Sequence, residues 1–201
     1  MYSNSEILTF RDSILLFTDY QNNIMKGVGS CEITEIKEVA VAAAKAANLL
    51  EVPLIYSSIY SKGNGEFIDE LVNIFPEKEV IERSFSNYDA FEDARILTLI
   101  KKSGRRKLII SGLQTNKSIS STAIRGVCEG FYVYFLIEGG GDSTREEYFQ
   151  GINKMVNGGV TLISWKSLAS EWMNDWAGSA EEKFIKNNYR SYDRIVSFLS
   201  K

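Results

Sequence analysis

The most informative segment of the chain is Lys107-Leu-Ile-Ile-Ser-Gly-Leu-Gln-Thr-Asn-Lys-Ser118, which begins with an apolar run and continues with small and polar residues. A short apolar run bounded by glycine is typical of a buried strand. The pattern of residues 117–129 is helical, so this segment predicts a strand that crosses directly into a helix. Backbone amides at the start of such a helix can bind an anion or stabilise an oxyanion.

The same alternation of strand and helix extends in both directions from this segment. Further strands are predicted over residues 13–18, 54–57, 80–81, 131–137 and 160–164. Helices are predicted from Ser30, an N-cap candidate, to Pro53, and over residues 68–74, 90–102 and 144–157. Because strands that alternate with helices form βαβ units, we expect a three-layer α/β/α sandwich with a mostly parallel, Rossmann-like sheet. We expect residues 1–201 to form one domain, with 168–201 as a helical C-terminal tail used in packing or oligomerisation.

The composition narrows the possible functions. The 201 residues include no histidine, which excludes Ser-His-Asp and Cys-His-Asn triads and the usual zinc hydrolase sites. A net charge of −3 argues against nucleic-acid binding through phosphate contacts. The longest apolar run has seven residues, too few to cross a membrane. Two cysteines without a disulfide framework, and an N-terminus without a signal sequence, predict a cytoplasmic protein.

Two glycine-rich stretches fail as cofactor motifs. The first, Gly139-Gly-Gly-Asp142, precedes a helix but lacks the GxxxxGK[ST] pattern of a phosphate-binding loop. The second, Gly27-Val-Gly29, lies well past the first strand and lacks the third glycine of the dinucleotide fingerprint. We therefore expect no cofactor.

Ligands of open α/β sheets bind at the carboxyl ends of the strands. This rule selects Asp19 after the first strand and segments 60–65, 83–87, 112–118 and 138–142 after the next four. Asp19 is then either a general base or a turn cap, and both interpretations are open. Ser118 lies where a nucleophile would lie, although capping by Thr115 or Asn116 would also explain the segment.

Four segments, in order and each in the right strand context, resemble the isochorismatase-like hydrolase family, also called cysteine hydrolases. They are Leu15-Leu-Phe-Thr-Asp-Tyr-Gln21, Ser61-Lys-Gly-Asn-Gly-Glu-Phe-Ile-Asp-Glu-Leu71, Glu82-Arg-Ser-Phe-Ser-Asn-Tyr-Asp-Ala-Phe91 and Leu108-Ile-Ile-Ser-Gly-Leu-Gln-Thr-Asn-Lys-Ser118. The C-terminal Glu171-Trp-Met-Asn-Asp-Trp176 makes the similarity closest to the YcaC-like subgroup. The resemblance covers nearly the whole chain.

The resemblance implies a catalytic triad of Asp, Lys and Cys that attacks an amide or similar carbonyl. Asp19 matches the base, Arg83 takes the basic position, and Ser118 stands where the family has its cysteine. The bond between Leu113 and Gln114 matches the family's cis peptide, and the amides of Gln114 and Ser118 match the oxyanion donors. Family members that bind a metal use histidines, so the resemblance implies no metal site in this chain.

Serine in place of cysteine weakens the expected nucleophile. A serine hydroxyl is far less acidic than a thiol and needs a competent base. Arg83 accepts no proton, and its charge is expected to lower the pKa of Asp19. Two functions are therefore open: a weakened hydrolase of a small amide, ester or related carbonyl substrate, and a catalytically inactive homologue that binds a small molecule or serves as an oligomeric scaffold. A third is a reaction in which Asp19 activates water without Ser118.

The substrate pocket and the assembly can also be predicted. Tyr20, Gln21, Asn87 and Phe91 are candidate wall residues of the pocket. Resemblance to the YcaC-like subgroup implies a homo-oligomer, and in particular an octamer. Aromatic residues crowded into the C-terminal region are of the kind enriched at interfaces. The expected partners are thus a small molecule and further copies of the chain, with neither nucleic acid nor a membrane.

Overall fold

The structure, a computed structural model, describes residues 8–84, 86 and 88–172. Its centre is a six-stranded parallel sheet. The strands are β1 (Ser13–Thr18), β2 (Leu54–Ile59), β3 (Val80–Arg83), β4 (Lys107–Gly112), β5 (Tyr132–Leu136) and β6 (Thr161–Ile163). A parallel strand is covered on both faces, so it reads as an apolar run. Accordingly, β1, β2 and β4 are buried along their whole length.

Helices cover both faces of this sheet. They are α1 (Asn22–Lys26), α2 (Ile33–Leu49), α3 (Ser61–Asn64), α4 (Asp69–Val72), α5 (Ala94–Lys102), α6 (Ser120–Cys128), α7 (Arg145–Asn157) and α8 (Trp165–Trp172). Apolar side chains of α2 and α8 form the core on one face, and those of α5, α6 and α7 form the core on the other. The predicted α/β/α sandwich is confirmed. None of the helices in the described part of the chain is long and apolar enough to cross a membrane.

The order of the strands creates a natural binding position. Across the sheet the order is β3-β2-β1-β4-β5-β6. The chain moves outward from β1 to β3 on one side and from β4 to β6 on the other, so its direction reverses between β1 and β4. Open α/β sheets bind ligands at such a switch point. Asp19 follows β1 and residues 113–118 follow β4, and both therefore lie there.

Several predicted boundaries move in the structure. Helix α2 begins at Ile33 because Ser30, the predicted cap, instead accepts a hydrogen bond from Asp142 N. Helix α5 begins later than predicted because the Asp93 side chain caps it by accepting a hydrogen bond from Arg95 N. The predicted C-terminal tail begins inside α8, and residues 173–201 lie outside the described part of the chain.

Candidate active site

Three side chains from different strand ends meet at the switch point. Asp19 directly follows β1, Arg83 ends β3, and Ser118 lies in a π-helical turn between β4 and α6. Arg83 Nη2 donates hydrogen bonds to Asp19 Oδ2 at 2.9 Å and to Ser118 Oγ at 3.3 Å, and Ser118 Oγ lies 2.7 Å from the same Asp19 oxygen. All three residues are at most 3% exposed. The structure thus brings together the residues that the resemblance placed in a triad.

Two backbone features bring the strand ends close together. Gly112 lies so near β1 that a Cβ would be 2.0 Å from the Thr18 carbonyl oxygen. Asp19 has a left-handed φ of 59°, and its N–H donates to Ser57 O. Aspartate tolerates this conformation better than most residues. The chain can therefore turn sharply after β1 with the carboxylate against Arg83.

Arg83 is held by contacts on both sides of its guanidinium. Nη1 donates to Ser57 Oγ at 2.7 Å, while Nη2 donates to Asp19 and Ser118. A guanidinium offers five N–H donors in a rigid plane and stays protonated in proteins. Arg83 therefore supplies positive charge and hydrogen bonds to the other two residues but transfers no proton.

Burial raises the pKa of the Asp19 carboxyl above its ordinary value, and this effect exceeds the opposing effects of Arg83 and Ser118. Arg83 does lower the pKa of Asp19, as expected, but the expected net result, a weaker base, is wrong because the loss of water around the carboxylate has the larger effect. Asp19 Oδ1 is buried and has no hydrogen-bond partner among the described residues. Asp19 is consequently a stronger base than the sequence indicated.

A cavity of about 120 Å³ opens onto the triad. Its lining residues are Asp19, Ile24, Ile59, Asn64, Tyr88, Leu113, Gln114 and Ser118. Sites for drug-sized ligands have volumes of roughly 300–1,000 Å³, so this cavity suits a much smaller molecule. Ser118 Oγ also lies 3.0 Å from Tyr88 O, and because a hydroxyl has one proton it donates to either that carbonyl or Asp19.

Residues 113–118, which we call the Ser118 turn, carry the expected oxyanion donors. The peptide bond between Leu113 and Gln114 is cis. Gln114 and Ser118 both line the cavity, and Ile119 N donates to Gln114 O as the turn winds into α6. The backbone amides at the start of a helix carry a partial positive charge. The use of the Gln114 and Ser118 amides as oxyanion donors stays a prediction.

The structure places most of the predicted wall residues away from the cavity. Tyr20 is fully buried in the core, where its hydroxyl bonds to Ser111 Oγ and Gly139 O, each at 2.6 Å. Phe91 packs in the core on the α5 and α6 face. Gln21 supports the wall from behind, because its side chain accepts from Ile59 N and donates to Gly65 O. The predicted Asn87 lies outside the described residues.

Only some of the residues that line the cavity were predicted from the sequence. Asn64 lies in the segment selected after β2, and its Nδ2 donates to Ile59 O at 2.7 Å. Ile24, on α1, and Tyr88 carry no chemical signal that would mark them in the sequence. Within residues 8–84, 86 and 88–172, no three Cys, Asp or Glu side chains are grouped so that they could hold a metal ion.

A sequence profile of the isochorismatase domain matches residues 13–167, so the chain belongs to the isochorismatase family. The probable hydrolase YcaC of Escherichia coli (strain K12) is 25% identical over 189 residues, which cover 92% of this chain and 90% of that protein. YcaC from Pseudomonas aeruginosa, solved with hexane-2,5-diol and covalent acrylamide, has a TM-score of 0.89 at 22% identity and covers 100% of both chains. The crystal structure of YcaC from Escherichia coli, described as an octameric hydrolase of unknown specificity, has the same TM-score at 23% identity, over 99% of this chain and 98% of that one.

Proposed function

We propose that this protein is a hydrolase of a small, uncharged amide, ester or related carbonyl substrate, with Ser118 as nucleophile, Asp19 as its base and Arg83 as their electrostatic partner. The observation that carries the proposal is the 2.7 Å contact between Ser118 Oγ and Asp19 Oδ2 at the end of a small cavity. Nucleophile and base within hydrogen-bond distance, with a third group that orients the base, is the arrangement expected for covalent catalysis.

In the proposed reaction Asp19 carries protons between Ser118, the leaving group and the attacking water. Asp19 Oδ2 takes the proton of Ser118 as Oγ bonds to the substrate carbonyl carbon, and the amides of Gln114 and Ser118 face the oxyanion that forms. Protonated Asp19 then gives its proton to the leaving amine or alcohol, and the bond to the leaving group breaks. A water attacks the acyl carbon of the resulting acyl-Ser118 and loses its proton to Asp19. The bond between Oγ and the acyl carbon then breaks as Asp19 returns that proton to Oγ, which releases the acid product and restores the Ser118 hydroxyl.

The serine makes this reaction slow compared with that of a cysteine at the same position. A thiol with an ordinary pKa of about 8.5 becomes a thiolate easily beside a cation, whereas a serine hydroxyl does not ionise near neutral pH. Asp19 partly offsets this disadvantage because burial raises its pKa. We therefore propose an active but weakened hydrolase.

The cavity supports an uncharged substrate with a short acyl group. Its described walls combine the apolar Ile24, Ile59 and Leu113 with uncharged polar groups such as Asn64 and Gln114, and they include no lysine or arginine. The nearby Arg83 guanidinium contacts Asp19, which neutralises its charge locally. A substrate carboxylate would therefore lose its water without gaining a cation of its own.

The test is hydrolysis of a panel of short amides and 4-nitrophenyl esters by the wild type, Ser118→Ala, Ser118→Cys and Asp19→Asn. Ser167→Ala is a matched control, because Ser167 is exposed on α8. The proposal expects turnover by the wild type, loss in Ser118→Ala and Asp19→Asn, and a higher rate in Ser118→Cys. Activity that survives Ser118→Ala but not Asp19→Asn would overturn the role of Ser118 and favour direct activation of water by Asp19.

The second candidate function is a catalytically inactive homologue that binds a small molecule or forms a scaffold. The observation in its favour is that an arginine and a serine stand where the resemblance implies a lysine and a cysteine. This function predicts a silent wild type, with activity gained only in Ser118→Cys. Retained binding of small carbonyl compounds by the wild type, measured by calorimetry, would complete the case for it.

For the assembly, we propose one isochorismatase-like domain per chain and a homo-oligomer that uses the C-terminal tail. The octameric description of YcaC from Escherichia coli supports this assembly, and an octamer is the size we expect. Light scattering that shows only monomers at micromolar concentration would contradict it. We also propose a reducing, cytoplasmic location, because Cys31 and Cys128 are both unpaired and exposed.

A further inference from the structure

The loop that follows β5 lies directly against the Ser118 turn. This glycine loop comprises residues 139–142, Gly139-Gly-Gly-Asp142. Leu113 forms an isolated parallel bridge with Gly141, and Thr115 N donates to Gly141 O at 3.1 Å. One residue further, Asn116 N donates to Asp142 Oδ2 at 2.8 Å. The glycine loop, which lacks the pattern of a phosphate-binding loop, thus holds the turn that carries Ser118.

Asp142 is itself held in place by a second loop. Its N–H donates to Ser30 Oγ at 3.0 Å, and its carbonyl accepts from Gly29 N at 3.0 Å and from Ser30 N at 3.1 Å. Asp142 is 2% exposed. The N–H and the carbonyl of Asp142 are both hydrogen-bonded and the residue is buried. Its carboxylate is therefore held in one position, from which it accepts the hydrogen bond of Asn116 N.

Helix α7 closes the other side of the Ser118 turn. Gly151 on this helix lies so near that a Cβ would be 2.8 Å from both Asn116 N and Asn116 Cα. The backbone of Asn116 therefore lies between α7 and the Asp142 carboxylate. Such close contact on two sides leaves the turn little freedom to rotate.

We propose that Asp142 is a positioning residue, which fixes the Ser118 turn by accepting the hydrogen bond of Asn116 N. The first N–H groups of a helix have no partner within the helix, so the turn needs an acceptor from elsewhere in the chain. Without it the turn could tilt, and the Ser118 hydroxyl and the neighbouring amides would lose their alignment toward the cavity. This proposal rests on the proposed function in one respect only, the assignment of Ser118 as the reacting residue.

The hydrogen bond does not depend on the charge of Asp142. Burial and, less strongly, the charge of Glu147 raise the pKa of Asp142 to about 6, although the Asn116 hydrogen bond and Lys117 act in the opposite direction. The charge of Asp142 in turn contributes to raising the pKa of the Tyr148 phenol. A protonated carboxyl and a carboxamide each keep a carbonyl oxygen that can accept from Asn116 N. Asparagine at this position should therefore preserve the geometry.

The test uses the Ser118→Cys variant and acrylamide as a thiol probe. Alkylation at position 118 is followed by mass spectrometry from pH 6 to pH 9 in three backgrounds: unchanged, Asp142→Ala and Asp142→Asn. We expect Asp142→Ala to lower the alkylation rate about tenfold and to shift its pH profile upward, as misplacement of reacting groups does. Asp142→Asn should stay within about twofold of the unchanged background. Asp69→Ala, at an exposed aspartate on α4, is the control and should have no effect.

The outcomes separate positioning from a general effect on stability. Rates are measured well below the melting temperature of each variant, and circular dichroism confirms that it is folded. An unchanged rate and pH profile in folded Asp142→Ala would overturn the proposal, and so would an Asp142→Asn variant as slow as Asp142→Ala. The thiol readout needs no hydrolysis, so a wild type without activity would refute the proposed function and leave this test intact.

Discussion

The buried ion pair gives the strongest prediction about stability. Arg83→Met removes the guanidinium that donates to Asp19, Ser57 and Ser118, and leaves the Asp19 carboxylate buried without a countercharge. Breaking a buried pair by removing one partner costs about 3–5 kcal/mol. For a chain of this length, about 2–4 °C of melting temperature corresponds to each kcal/mol, so a drop of about 6–20 °C is expected.

The loss in Arg83→Met should depend on pH in a defined direction. Without Arg83, the effect that opposes burial at Asp19 is gone, and the pKa of Asp19 rises further. The folded state then binds the Asp19 proton more tightly than the unfolded state, so stability falls as pH rises through the raised pKa. The destabilisation should therefore be larger at pH 8 than at pH 5.

The double variant Asp19→Asn/Arg83→Met tests the cause of this loss. It removes both charges, and should recover most of the lost stability because no uncompensated charge remains buried. The measurement is urea unfolding of all variants at pH 5 and pH 8, at one protein concentration. Arg95→Met is the surface control, because its ion pair with Asp93 is exposed to solvent and is expected to contribute little to stability. A cost below about 1 kcal/mol for Arg83→Met, or a double variant as unstable as the single one, would refute the reasoning.

Three further variants probe the surroundings of the site. Tyr20→Phe should lower the free energy of unfolding, measured in urea, by about 1–3 kcal/mol, because Ser111 Oγ and Gly139 O lose their buried hydrogen-bond partner. An altered KM would contradict the position of Tyr20 in the core. Asp142→Asn should raise the melting temperature above pH 6 and have no such effect near pH 4, because the ionised carboxylate, whose pKa is raised to about 6, opposes folding only where it is charged. A melting temperature that falls at pH 8 would contradict this sign. Gly151→Ala should slow acrylamide alkylation of the Ser118→Cys variant, because the added Cβ meets the backbone of the Ser118 turn at 2.8 Å. Gly27→Ala, with its nearest neighbouring atom at 3.4 Å, should leave that rate unchanged.

The fold could be predicted from the sequence because the central strands β1, β2 and β4 are buried on both faces. Such strands appear as short apolar runs, and the helices between them have their own periodicity. The boundaries were less predictable where a polar side chain had a choice of partners. Ser30 could cap a helix, but its hydroxyl accepts from Asp142 N, which lies far away in the sequence. No local pattern distinguishes these two uses of a serine.

The candidate site was predictable in its polar residues and not in its walls. Asp19 and Ser118 follow strands, and the carboxyl ends of parallel strands must lie together, so their meeting follows from topology. Tyr20 adjoins Asp19 in sequence but lies in the core, because the left-handed backbone of Asp19 interrupts the alternation of side chains. The direction of a side chain after such a turn depends on the φ angle of Asp19, and that angle could not be predicted from the sequence.

The proposed exchange of a proton between Ser118 and Asp19 has a consequence for the charge of the site. Before the exchange the negative charge is on Asp19. As Asp19 takes the proton, negative charge develops on Ser118 Oγ and passes to the substrate oxyanion, while Arg83 keeps its positive charge throughout. Arg83 Nη2 lies 2.9 Å from one of these atoms and 3.3 Å from the other. The proton therefore moves between two atoms that contact the same cation, and the net charge of the site does not change during the transfer. Coulomb attraction at such distances is strong where water is excluded, and it acts on the partial negative charge that develops on Ser118 Oγ as well as on the carboxylate. Arginine is suited to this electrostatic role because it keeps its proton and therefore its positive charge; for the same reason it could not act as a general acid.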